Sequence, residues 1–139
     1  MQKLELKHLA SYLPHGVKTY HKDSNKKIQD LTPFECSKGM IELKNEQGTK
    51  LILRPLSDLL QDDDTILEIY NNSWIAGQYD IVKTNDVIAI ISHEDGSNLN
   101  IFLSKPHCNM EWINEILYSK HYDLKSLIEK GLAIDINTL

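Results

Sequence analysis

The sequence contains a single arginine, Arg54, and only two cysteines, Cys36 and Cys108. Specific recognition of phosphate groups and guanine bases relies on the planar guanidinium fork, which lysine does not reproduce. The scarcity of arginine therefore disfavours a sequence-specific DNA-binding protein. Two cysteines are too few for a disulfide scaffold and are typical of a chain in a reducing compartment.

Long apolar runs and glycine-rich loops are also missing. No stretch approaches the roughly twenty apolar residues of a membrane span, and residues 1–5 contain no apolar signal core. We therefore expect a cytoplasmic protein with no membrane partner. No glycine-rich run precedes a Lys-Ser or Lys-Thr pair, and no Gly-x-Ser-x-Gly motif occurs, which disfavours a phosphate-binding loop and a hydrolase nucleophile.

The formal net charge of −5 is unevenly distributed along the chain. Residues 1–54 contain ten basic and six acidic residues, a balance of +4, whereas residues 55–139 contain five lysines and fourteen acids, a balance of −9. The overall charge disfavours a general nucleic-acid binder, although the basic first third is compatible with a patch for nucleic acid. A solvated strand surface explains its lysines equally well: Lys18, Lys22, Lys26 and Lys27.

The 139 residues are enough for one domain with a substantial core and too few for two ordinary ones, so we predict a single domain over residues 1–139. The predicted fold class is α+β, a small antiparallel sheet of hairpins packed with an N-terminal helix and a C-terminal helical hairpin. Apolar residues at helical spacing predict the first helix over residues 3–13: Leu6, Leu9, Ala10 and Leu13.

Short strands are predicted at residues 17–20 and 27–31, and a clearer hairpin pairs Ile41 and Leu43 with Leu51 and Leu53. Phe34 is expected to anchor the connector between the two hairpins. One or two helical turns follow Pro55, and the acidic residues 61–64 are then interpreted as a loop.

The central part of the chain contains the strongest strand pattern. Residues 65–70 fit either a strand or a short helix, and residues 74–76 are interpreted as a buried plug. Residues 87–91 are apolar and rich in β-branched side chains, which predicts a strand inside the sheet that turns at residues 94–98 into the alternating strand of Leu99, Ile101 and Leu103.

The last thirty residues predict two helices joined at His121 and Tyr122. Asn109 is expected to cap a helix that begins near Met110, and Asp123 a second helix that Gly131 ends in the left-handed conformation. The second helix and its exit have the buried residues Leu124, Leu127, Ile128 and Leu132, and residues 133–139 alternate as a short strand or an extended tail. A DNA-binding helix-turn-helix is the alternative, but this pair lacks a basic face.

Three polar groups are candidates for chemistry, and each has a simpler explanation. His93, Glu94 and Asp95 form the densest group of potential ligands or acid-base residues, but a solvated hairpin turn explains them. Cys36, His107, Cys108 and His121 lack paired zinc-ligand spacing, and residues 62–64 lack the alternation of a calcium loop. We therefore assign no catalytic, cofactor-binding or metal residue, and we predict no cofactor.

Three stretches resemble a family of short uncharacterised proteins of bacteriophages, prophages and mobile elements of Bacteroidetes. They are residues 3–9 (KLELKHL), 53–59 (LRPLSDL) and 131–139 (GLAIDINTL). The chain departs from the family pattern at Ser11, where a proline is usual, and at His15, where an aromatic residue is usual. The resemblance implies an accessory protein of the host bacterial cytoplasm and supplies no activity.

These observations leave three functional hypotheses. The first is a non-enzymatic module that contacts another protein or a second copy of itself. The second is a nucleic-acid-associated accessory protein that uses the basic first third. The third is a small enzyme or metal protein built around His93, Glu94 and Asp95.

Overall fold

The computed structural model describes residues 4–21, 27–31, 48–75 and 77–139. The chain divides into two compact units, which we call the terminal unit (Met1–Pro55 with Tyr118–Leu139) and the middle unit (Leu56–Leu117). Helices combine with two sheets that are mainly antiparallel, which confirms the α+β class. The single domain stays a prediction, because compactness does not tell whether the units unfold together.

The terminal unit contains a four-stranded sheet in the order β2-β1-β3-β7. Its strands are β1 (Val17–Tyr20), β2 (Ile28–Leu31), β3 (Lys50–Leu53) and β7 (Ala133–Asp135). The predicted hairpin of β1 and β2 is confirmed, with Val17 opposite Leu31. Ile41, Leu43 and Phe34 lie outside the described residues, so the second predicted hairpin stays a prediction.

The strand β3 pairs parallel with β7, so this sheet joins two segments that are far apart in the sequence. Leu51 lies opposite Ala133 and Leu53 opposite Asp135. The tail therefore forms a strand at residues 133–135, one of the two forms expected for it. Its neighbours Leu127 and Leu132 are buried in the same core as Leu9 and Leu51.

The prediction of a second helix in the C-terminal hairpin is wrong. The Asp123 carboxylate accepts hydrogen bonds from the amides of Leu127 (2.8 Å) and Ile128 (2.9 Å), four and five residues on. A helix cap would accept them two or three residues on. Ser126 has a φ of 55°, a left-handed conformation that interrupts a helix, so residues 123–131 form turns.

The expected apolar residues of this segment are nevertheless packed inward. Leu127 is fully buried, Leu132 and Leu124 are buried, and Ile128 is half-buried against the same core. Gly131 has the left-handed φ of 76° that the sequence suggests. The periodicity therefore predicts burial correctly and the backbone conformation wrongly.

The N-terminal helix, α1 (Leu6–Leu9), is shorter than predicted and buries a different face. Glu5 and His8 form a reciprocal capping box that starts it, and a 3-10 turn at Leu13–His15 follows. Leu6 is exposed, whereas Leu4, Leu9 and Tyr12 are buried. The Tyr12 hydroxyl donates to the Tyr122 carbonyl at 2.7 Å, and this contact with a distant segment fixes the buried face.

The middle unit consists of short helices and a three-stranded antiparallel sheet in the order β4-β5-β6. The strands are β4 (Tyr79–Lys83), β5 (Val87–Ser92) and β6 (Asn98–Phe102). The helices are a 3-10 helix at Leu56–Gln61, α2 (Asp63–Asn71), a 3-10 helix at Pro106–Cys108 and α3 (Glu111–Ser119), whose last two residues belong to the terminal unit. The central position predicted for β5 is confirmed.

One face of this sheet belongs to the core of the unit. Ile88 and Ile90 of β5 are fully buried and lie opposite Ile101 and Leu99 of β6. Alternate residues of a strand point to opposite faces, so the other face carries Val87, Ala89 and Ile91, which are half-buried.

Two expectations for residues 61–75 are wrong. The acidic run is not a loop, because the Asp62 side chain accepts from the Thr65 amide at 3.2 Å and begins α2, whose first turn contains Asp63 and Asp64. Carboxylates at this end of a helix interact favourably with its dipole. Trp74 is 53% exposed, so it is not part of a plug, whereas Ile75 is buried and Ala76 lies outside the described residues.

Asn109 does not have the predicted helix-capping arrangement. The helix α3 begins at Glu111, and Met110 lies between it and Asn109. The Asn109 side chain instead binds both backbone groups of Phe102, accepting at 2.6 Å and donating at 3.1 Å. It thereby fastens the end of β6 to the loop that precedes α3.

Candidate functional site

The strand β4 lies at the outer position of the middle unit's sheet. It pairs antiparallel with β5, with Asp80 opposite Ile91 and Val82 opposite Ala89. Within the described part of the chain, β5 is its only neighbour in the sheet. We call the opposite side of this strand the β4 edge.

The hydrogen bonds at both ends of the ladder show which backbone groups face outward. The His93 amide donates to the Gln78 carbonyl, and the Thr84 amide donates to the Val87 carbonyl, each at 2.9 Å. Hydrogen-bonded pairs alternate along antiparallel strands, so the even-numbered residues of β4 face β5. The N–H and C=O groups that point away from β5 therefore belong to Tyr79, Ile81 and Lys83.

Two side-chain contacts tie α2 to β4. The rings of Tyr70 and Tyr79 lie 4.1 Å apart between centroids, at one end of the strand. At the other end, the Lys83 ammonium lies 3.0 Å from an Asp63 carboxylate oxygen and donates to the Leu60 carbonyl at 2.8 Å. The helix therefore flanks β4 on the face to which Tyr79, Ile81 and Lys83 direct their side chains.

Large apolar side chains remain accessible around the β4 edge. Ile81 is 38% exposed and Val82 is 49% exposed, on opposite faces of the strand. Leu67 is 46% exposed, and on α2 it lies one turn from both Asp63 and Tyr70. The helix therefore presents an apolar side chain beside the two residues that contact β4.

The predicted polar group of His93, Glu94 and Asp95 lies in the turn between β5 and β6. His93 Nε2 lies 2.7 Å from a carboxylate oxygen of Asp80, so the two form an ion pair when the imidazole is protonated. Asp95 accepts from the Ser97 amide at 2.9 Å, and hydrogen bonds from Ser97 lower the pKa of Asp95 below its ordinary value. The Glu94 carboxylate lies against Gly77 instead.

The three side chains of that group thus have separate neighbours. Asp80, the partner of His93, was missed at the sequence level because β4 itself was not predicted. Tyr79 to Lys83 mixes charged and apolar residues without a clean alternation, so periodicity gives little indication of this strand.

The residues of the proposed zinc set are not brought together in the described structure. Among the described residues, no group of three or more His, Cys, Asp or Glu side chains could hold a metal ion. His107 and Cys108 are exposed in their 3-10 helix. His121 belongs to the terminal unit, where its Nε2 lies 3.3 Å from the His15 carbonyl, and Cys36 lies outside the described residues.

The lysines of the first third are only partly described. Lys18 is exposed on β1 and lies opposite Asp30 of β2, and Lys27 is exposed beside that strand. Lys22 and Lys26 lie outside the described residues. In the described part of this region, Lys18 therefore lies opposite an acid and does not form part of a continuous row of lysines.

The terminal unit also contains a buried polar and aromatic cluster. The Tyr12 ring meets the Tyr118 ring edge-on at 4.9 Å, and the Arg54 guanidinium lies 4.5 Å from the centroid of the Tyr122 ring. Burial raises the pKa of Tyr12 far above its ordinary value. Because Tyr12 and Tyr122 are almost fully buried, we interpret this cluster as a structural one.

No family model, curated protein or solved structure matches this chain. In the part of the chain that the structure describes, no helix is long and apolar enough to cross a membrane.

Proposed function

We propose that this protein is a non-enzymatic interaction module that binds another protein by adding an extended segment of that protein to the β4 edge. The observation that carries this proposal is the outward direction of the backbone groups of Tyr79, Ile81 and Lys83 beside exposed Ile81 and Val82. Strand addition to an open edge is a recurrent mode of peptide recognition. An accessory role in a phage or mobile element agrees with the sequence resemblance.

The energetics favour a weak to moderate interaction. Each added main-chain hydrogen bond contributes about 0.5–1.5 kcal/mol net, because water is displaced from both partners. Burial of the exposed apolar area of Ile81, Val82 and Leu67 adds about 25 cal/mol per Å² removed from water. Ordering the incoming segment opposes both terms.

Lys83 of this strand does not protect the edge against pairing in the way that edge lysines usually do. Edge strands are commonly protected against pairing by a charged side chain, most often lysine. Here the Lys83 ammonium is held toward α2 by Asp63 and the Leu60 carbonyl. The backbone of Ile81, at the middle of the strand, stays accessible to an incoming strand.

The experiment selects binders from a library of extended nine-residue peptides and measures the affinity of the best binder by calorimetry. Ile81→Pro removes an outward N–H and leaves the ladder to β5 intact, so it should weaken binding by at least about tenfold. Ile81→Thr is the matched control, since it keeps the N–H and a β-branched side chain. We expect it to retain most of the affinity that Ile81→Pro loses.

Amide hydrogen exchange locates the contact. Bound peptide should slow exchange at Tyr79, Ile81 and Lys83. The proposal is wrong if no peptide binds, if protection falls on another strand, or if Ile81→Pro binds as tightly as the wild type while its urea unfolding shows an intact fold.

A further inference from the structure

We infer that the segment received at the β4 edge is basic, with lysine or arginine alternating with apolar residues. This inference rests on the proposed function and adds the chemical class of the partner. It follows from the charge of the middle unit and from the positions of its carboxylates relative to β4.

The middle unit is strongly acidic. Residues 56–117 contain eleven Asp and Glu residues against only Lys83 and Lys105, a formal charge of −9 with neutral histidines. One of the two lysines, Lys83, already forms an ion pair with Asp63. A charge of this size attracts a basic partner and raises its association rate.

Carboxylates lie at both ends of β4. Asp63 is beside Lys83 at one end, and its side chain is 84% exposed. Asp80 projects near the other end on the same face as Val82, and the Glu94 carboxylate lies against Gly77, two residues before the strand. A segment that runs along the edge therefore passes exposed carboxylates at both ends, of which Asp63 is already paired with Lys83.

The two faces of the added strand would meet different surfaces. On the α2 side the segment would lie along Ile81 and beside Leu67, which suits apolar side chains. On the other side it would meet Val82 and Asp80, which suits the long aliphatic stem and charged head of lysine or arginine. Because side chains alternate along a strand, the expected pattern is apolar and basic in turn.

Self-pairing of two β4 edges is disfavoured by the same charges. It would bring two middle units of −9 together, with Asp80 from each copy near the new ladder. Like charges placed opposite each other across strands are destabilising. The partner is therefore a different protein.

The test uses three synthetic nine-residue peptides with the same apolar residues at alternate positions and Lys, Gln or Glu between them. A fourth peptide has the composition of the Lys peptide in scrambled order. We expect the Lys peptide to bind at least about tenfold more tightly than the Glu peptide, with an affinity that falls as salt is raised. Asp80→Asn should weaken binding of the Lys peptide by a larger factor than binding of the Gln peptide.

The outcomes separate this inference from the proposed function. If Lys and Gln peptides bind equally and Ile81→Pro weakens both, strand addition stands and the basic partner is refuted. If the scrambled peptide binds as tightly as the Lys peptide, the attraction is unspecific and the inference of a basic strand partner is refuted. A dimer in sedimentation that Ile81→Pro abolishes would refute it as well, because the edge would then pair with a second copy. If no peptide responds to Ile81→Pro, the proposed function itself fails.

Discussion

The two units of this protein build their sheets in opposite ways. The middle unit uses three consecutive strands, so each pairs with a neighbour close in sequence. The terminal unit pairs residues 19–20 with residues 50–51 and joins residues 51–53 to residues 133–135. Pairing of distant segments requires closure of long loops, whose entropic cost grows with length.

Charge separates the units as clearly as topology does. The middle unit has a formal charge of −9, which leaves +4 for the terminal unit. The terminal unit ties its distant segments through buried contacts such as that between the Tyr12 hydroxyl and Tyr122. One unit therefore provides the long-range closure of the fold, and the other contains the β4 edge.

The largest expected loss of stability comes from substitutions that create cavities in the two cores. Leu127 of the terminal unit and Ile90 of the middle unit are both fully buried, so replacement of either by alanine should cost about 2–5 kcal/mol. Both tryptophans, Trp74 and Trp112, belong to the middle unit. Urea unfolding followed by tryptophan fluorescence therefore reports that unit, whereas far-ultraviolet circular dichroism reports the whole chain.

The same measurement tests the predicted single domain. In one cooperative domain, Leu127→Ala lowers the urea midpoint equally in fluorescence and in circular dichroism. Independent units would leave the fluorescence midpoint of Leu127→Ala at the wild-type value and shift only the dichroism. Lys130→Ala is an exposed control beside this core and should change stability by no more than about 0.5 kcal/mol.

A smaller loss of stability is expected from a substitution at Gly131, where the C-terminal turns end. Gly131 has a φ of 76°, and an added Cβ would meet no atom within 4 Å. Gly131→Ala therefore tests backbone strain alone and should cost about 1–2 kcal/mol, the penalty of the left-handed conformation. Equal urea midpoints for Gly131→Ala and the wild type would show that the turn before β7 adjusts without strain.

The smallest expected effect is a dependence of stability on pH, which originates at His8 in the terminal unit. Burial, with the charge of Lys7, lowers the pKa of His8 below its ordinary value of 6.5, and His8 Nδ1 accepts from the Glu5 amide at 2.8 Å. The folded state favours the neutral imidazole, so this stability is present above pH 6.5 and is lost as the pH falls from there toward the folded pKa.

The check is urea unfolding of wild type and His8→Asn across that range. An asparagine oxygen can replace the Nδ1 acceptor without titrating, so the variant should lose less stability between neutral and mildly acidic pH. Identical pH profiles would show that His8 does not contribute to the dependence.

Local patterns made part of the fold predictable. The β-branched run of β5 predicted a central strand, and the turn at residues 94–98 predicted its hairpin with β6. The strand β4 was missed because an edge strand with four exposed residues has no buried face to produce a periodic pattern. Periodicity therefore could not predict the candidate site, although it predicted the neighbouring strands β5 and β6.

The sequence by itself determined which residues are apolar and which backbone positions turn, and so Leu127, Leu132 and Gly131 have the burial and the left-handed φ expected of them. Only the tertiary structure decided that residues 123–131 are turns instead of a helix and that β7 pairs parallel with β3. The physical reason is that capping and periodicity act over a few residues. The Asp123 carboxylate and the β3 ladder instead satisfy backbone groups whose partners depend on how distant segments meet.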